Sequence, residues 1–97
     1  MLATHIFNVS DFVLNNRSPI TVLTKLMEEV GELSTEIAID CGISSKQPSE
    51  DGILGECVDV LITVFDIIKL HQPNITEEEL LKVVELKCNK WINTTKK

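Results

Sequence analysis

Carboxylates recur at helical spacing in two stretches of the chain, Glu28-Glu29-Val30-Gly31-Glu32 and Glu56-Cys57-Val58-Asp59. Residues three and four apart on a helix share a face, so Glu29 with Glu32, and Glu56 with Asp59, each project two carboxylates in one direction. Both pairs repel themselves, and both sit in segments otherwise rich in Leu, Ile and Val. If the two segments pack side by side, four or five carboxylates converge in a partly desolvated space, an arrangement that needs cations to neutralise it. Oxygen ligands unaccompanied by His or Cys select hard ions, Mg²⁺ first and Mn²⁺ next.

Four helical segments must position these groups, giving an all-α, four-helix expectation. The first covers about Leu2 to Asn15, with Ile6, Val9, Phe12 and Val13 at helical spacing before the breaker Asn15-Asn16-Arg17-Ser18. The second opens on a Ser18 cap and Pro19 in the first turn, and carries Val22, Leu23, Leu26, Met27, Val30, Leu33 and Ile37 as one apolar stripe. Glu28, Glu32 and Glu36 fall on its opposite side, with Glu29 at the boundary. From Asp40 to Asp51 no period is visible, which marks a loop long enough to carry function.

The third helix, roughly Ile53 to His71, is apolar over more than half its circumference and leaves a narrow stripe of Glu56, Asp59, Thr63 and Asp66. One small chain cannot surround such a helix, so a homodimer is expected. The fourth begins after Asn74-Ile75, where Thr76 and Glu79 fit a capping box, and runs to about Asn93.

Composition narrows the function classes. Ninety-seven residues make a single domain over 1–97, and a formal charge of −6 with few aromatics argues against nucleic-acid binding. Ten acidic residues lie between Glu28 and Asp66 against Lys46, whereas the last sixteen positions hold Lys82, Lys87, Lys90, Lys96 and Lys97 against Glu85. An acidic middle and a basic end suit cations and phosphates respectively. Cys41, Cys57 and Cys88 form no Cys-x-x-Cys pair and are expected as free thiols in a reducing cytoplasm, with Cys57 a small buried hydrophobe. Neither a signal peptide nor a membrane span is expected.

The wording Lys25-Leu26-Met27-Glu28-Glu29-Val30-Gly31-Glu32-Leu33, followed by Gly55-Glu56-Cys57-Val58-Asp59-Val60-Leu61, resembles the two signatures of the MazG-like all-α nucleoside triphosphate pyrophosphohydrolases. Phosphoribosyl-ATP pyrophosphatases and dimeric dUTPases are similar at the carboxylates, but Val30-Gly31-Glu32-Leu33 favours the MazG branch. The resemblance covers about Pro19 to Leu70. It implies Mg²⁺-dependent hydrolysis of a nucleoside triphosphate between the α and β phosphates, a four-helix fold and a dimer, with tetramers left open. Carried over by position, Glu29, Glu32, Glu56 and Asp59 would ligate metal, and Glu28 would hold a further ion, orient a ligand or help activate water. Lys87 and Lys90 are the nearest matches to basic residues that the family uses against phosphates, although Trp91-Ile92-Asn93-Thr94 stands where an arginine is expected.

The chemistry agrees with the residues. A triphosphate cannot approach an acidic pocket until bridging cations reverse its sign, and two-metal sites acidify water and stabilise in-line displacement at phosphorus. No Ser, Cys or His nucleophile is called for, so water is expected to attack the α phosphorus directly.

Plainer readings stand beside these. Glu28, Glu29 and Glu32 taken alone would be a solvated helix face, and only their combination with Glu56 and Asp59 on an apolar helix points to metal. Thr63 and Asp66 read as structural or dimer-facing, His5 and His71 as non-ligands, and Trp91 as core or dimer contact. The alternative function is a non-catalytic helical dimer that binds nucleotide or a partner protein as a regulator.

Overall fold

Capping groups written into the sequence delimit most of the helices. The computed structural model describes residues 1–13 and 17–95, which form α1 (Leu2–Phe12), α2 (Pro19–Asp40), α3 (Gly52–His71) and α4 (Glu77–Thr95), with no strand among them. The protein is all-α as expected. At the start of α2 the Ser18 hydroxyl accepts the Thr21 N–H at 3.3 Å, with Pro19 in the first turn where its missing N–H costs nothing. The helix closes in a Schellman motif. Gly42, at φ 76°, donates to the Ile39 carbonyl and Ile43 donates to that of Ala38, a geometry that glycine supplies without a Cβ clash. Thr76 and Glu79 exchange the two bonds of a capping box ahead of α4.

The first helix is shorter than its periodicity suggests, ending at Phe12 rather than near Asn15. Asn15 itself lies outside the described residues. Arg17 folds back so that its guanidinium donates to the carbonyls of Ser10 and Val13, supplying the exposed end of α1 with a cationic cap.

Helices α2 and α3 pack along each other, and α1 lies across α3, where Phe7 and Phe65 meet with ring centroids 5.6 Å apart. The buried apolar residues are Ala3, Ile6, Phe7 and Val22. The facing of α2 and α3 corrects the sequence expectation. On α2 the covered stripe is Val22, Glu29 and Glu36, at i, i+7 and i+14, while Leu23, Met27, Val30 and Ile37 remain exposed. On α3 the buried residues are Glu56 and Thr63, with Leu54, Val58 and Ile62 outward. The polar seams of the two helices therefore face each other. Cys57, expected in the core, is exposed for the same reason, as are Cys41 and Cys88, and all three are free thiols.

Helix α4 packs along neither α2 nor α3; Thr4 ties it to α1 by donating its N–H to Glu77 at 2.9 Å. Beyond Leu80 its residues are exposed, including Trp91 at 71%. The accessible surface of 7515 Å² exceeds the roughly 5,600 Å² of a compact monomer of this mass by about 1,900 Å². No helix among the described residues is long and apolar enough to cross a membrane.

Candidate metal centre

The antiparallel run of α2 against α3 sets Glu29 and Glu32 opposite Glu56 and Asp59. One carboxylate oxygen from each of these four residues lies within 4.8 Å of the others, the juxtaposition expected from the sequence. Glu29 and Glu56 form the floor, 6% and 7% exposed, while Glu32 is open to solvent and Asp59 half-buried. Glu29 Oε2 and Glu56 Oε2 are buried with no hydrogen-bond partner. Two orphaned carboxylate oxygens beside two further carboxylates are costly unless a cation or proton compensates them.

Protonation is one compensation. Burial pushes the Glu56 carboxyl above the usual glutamate range, and the charges of Glu32 and Asp59 add to the push. A hydrogen bond with Glu32 and the charge of Glu29 act in the same direction. A divalent ion would achieve the same neutralisation while leaving every oxygen ionised, and the all-oxygen donor set fits Mg²⁺ or Mn²⁺.

Close approach fixes where Glu56 sits. A Cβ at Gly55 would fall 2.1 Å from Asp51 Cβ, so only glycine lets the loop pass this near to the first turn of α3. That loop is fastened to the centre by Ser49. Its N–H donates to Glu36 Oε1 at 2.7 Å, its hydroxyl donates to the same oxygen, and the hydroxyl lies 3.5 Å from Glu56 Oε1. The Gly52 N–H donates back to the Ser49 hydroxyl at 3.3 Å, capping α3 in place of the Asp51 side chain.

On the other flank, Lys25 Nζ stands 3.0 Å from Glu29 Oε1 and 3.8 Å from Glu28 Oε2. The hydrogen bond to Glu29 is the main reason its ammonium is held above the ordinary lysine range. Glu28 is largely solvent-exposed and outside the four-carboxylate group. Lys25 also borders a cavity of about 250 Å³ between α1, α2 and α3, lined by Val9, Val13, Val22, Ile62 and Thr63. The Thr63 hydroxyl donates to the Asp59 carbonyl at 2.7 Å. At the far end Asp66 accepts from Arg17 Nε at 3.0 Å and Nη2 at 2.8 Å, and from the Ser10 hydroxyl. Asp66 is thus structural, as its place on the stripe suggested.

Lys87 and Lys90 are exposed on α4, which a single chain does not bring against α2 or α3. Lys25 entered the sequence reading only as part of a signature, Glu36 only as part of a polar face and Ser49 only within a loop, and none was assigned to the site. Lys25 precedes Glu29 by four positions and Glu36 follows it by seven, so helical spacing alone would have placed both beside the centre; Ser49 sits in an aperiodic loop and left no comparable signal. No protein-family model, curated protein or solved structure matches the chain.

Proposed function

We propose that the protein is a Mg²⁺-dependent nucleoside triphosphate pyrophosphohydrolase, releasing the monophosphate and pyrophosphate. The observation that carries this reading is the convergence of Glu29, Glu32, Glu56 and Asp59 around two buried oxygens without partners. Glu29 and Glu56, fixed by burial, would hold the ion from below, and Glu32 and Asp59 from the rim. Bound there, Mg²⁺ would supply a Lewis acid that acidifies water and neutralises charge on the phosphates. The apolar cavity beside Lys25 and Thr63 is close to the lower size limit of about 300 Å³ for small-molecule pockets, which suits a nucleobase rather than a whole nucleotide. Glu28, at the exposed edge, would hold a further ion, orient a ligand or help activate water.

The functional unit in this reading is a homodimer. Leu23, Met27, Val30 and Ile37 of α2, with Leu54 and Val58 of α3, form exposed apolar stripes, which supports association with a second copy. The surplus of about 1,900 Å² per chain falls within what each partner contributes to an obligate dimer. A partner's α4 would then be free to deliver Lys87 and Lys90 to the phosphates.

The test is a panel of common ribo- and deoxynucleoside triphosphates, with oxidised and methylated ones, assayed for pyrophosphate in the presence of Mg²⁺. Release from at least one, abolished by Glu56→Gln with Asp59→Asn, is the expected result. Turnover that survives loss of both carboxylates would remove the proposed site, and failure across the panel with metal binding intact would favour the regulatory dimer.

A further inference from the structure

We propose that Lys25 is the resident counterion of the carboxylate centre when metal is absent, and the cation that receives the substrate's phosphates once metal is bound. This inference rests on the metal-centre reading above. Three observations support it. Lys25 Nζ lies 3.0 Å from Glu29 Oε1, the one carboxylate of the floor that combines an ion pair with an orphaned second oxygen. Its side chain is 59% exposed, so the contact is made by a flexible stem reaching in from solvent rather than by a packed residue. It also lines the cavity while its ammonium contacts Glu29, so one side chain adjoins both the cavity and the carboxylate centre.

The two states follow from charge. Without metal, the four carboxylates carry excess negative charge and Lys25 partly offsets it at Glu29. A divalent cation at the centre reverses the local sign, so attraction between Lys25 and Glu29 is replaced by repulsion between the ammonium and the ion. The ammonium is then released at the mouth of the site. A triphosphate arriving there presents oxygens beyond those the metal can hold, and a lysine on a mobile stem is suited to meet them as a point charge. Lys25 thus opposes metal binding and favours phosphate binding, a pair of opposite effects that a purely structural residue does not produce.

The opposition gives the test. Mn²⁺ affinity is measured by electron paramagnetic resonance for the wild type, Lys25→Met and Lys25→Arg, followed by the affinity of each Mn²⁺-loaded protein for inorganic triphosphate, which carries phosphates without a base. Lys25→Met should bind Mn²⁺ on the order of three- to tenfold more tightly, through loss of one nearby positive charge. It should bind triphosphate on the order of tenfold more weakly, and Lys25→Arg should restore both values toward the wild type. Lys25 is exposed, so its replacement leaves the packing intact, and circular dichroism of each variant verifies the fold. Unchanged or weaker Mn²⁺ binding by Lys25→Met, or unchanged triphosphate binding, overturns the role given to Lys25 while leaving the centre itself in place. Absence of Mn²⁺ uptake by the wild type overturns the centre and Lys25 together.

Discussion

Ser49 donates both its N–H and its hydroxyl to a single oxygen of Glu36, a carboxylate only 6% exposed, and so pins the α2–α3 loop against the carboxylate seam. Ser49→Ala removes one charge-assisted bond and the acceptor for the Gly52 N–H. We expect a loss of about 1.5 to 3 kcal/mol in urea unfolding. Because the same hydroxyl lies near Glu56, Mn²⁺ affinity should change as well, whereas a variant as stable as the wild type would show that the loop is held elsewhere.

The Arg17–Asp66 pair joins the end of α1 to the middle of α3, with each side chain 17% exposed. Replacing Arg17 by Met removes the cationic partner of Asp66 in a mostly covered site and frees the Ser10 and Val13 carbonyls. The expected cost is about 2 to 4 kcal/mol. A double-mutant cycle with Ser10→Ala should give coupling energy, since both donors share Asp66; strictly additive losses would contradict a shared node.

Acidity should act on the metal-free protein through Glu56, whose carboxyl is raised above 4.5 chiefly by burial. An acid with a higher pKa folded than unfolded binds more protons in the folded state, so its stabilisation is present below about 4.5 and is lost as pH rises through the raised value. With chelator present, the wild type should therefore melt progressively below Glu56→Gln as pH rises. Saturating Mg²⁺ at neutral pH should reverse the order, because only the intact centre gains from the ion. Parallel melting curves at every pH would count against a strained Glu56.

Much of this architecture could be read from the residues, and the reasons differ by element. Ser18-Pro19 and Thr76 with Glu79 mark helix starts because a side chain must satisfy free N–H groups there, and both caps occur as expected. The four carboxylates were legible because helical spacing forces Glu29 toward Glu32 and Glu56 toward Asp59. Which face of α2 turns inward was not legible. Val30 and Ile37 have the hydrophobicity of core residues, yet they are exposed and Glu36 is buried; periodicity reports that a face seeks cover without saying whether the same chain or another supplies it. The end of α1 at Phe12 was not visible in the periodicity, and the Arg17 contacts to Ser10 and Val13 found there are set by three-dimensional geometry rather than local propensity.

Those outward faces give the prediction about assembly. Sedimentation at micromolar concentration should yield twice the chain mass of 10.9 kDa or a multiple of it. Val30→Glu on α2 and, separately, Leu86→Asp on α4 should each shift the distribution toward monomer, by placing a charge where apolar contact is expected. A wild type that sediments as a monomer would leave the exposed stripes without an occupant.

The proposed metal centre is tested most directly by calorimetric titration of Mn²⁺ into the wild type and into Glu56→Gln with Asp59→Asn, each with and without inorganic triphosphate. We expect saturable uptake by the wild type, and its loss when the two α3 carboxylates are neutralised. Equal uptake by both proteins, or none by the wild type even with triphosphate, would contradict a centre built from Glu29, Glu32, Glu56 and Asp59.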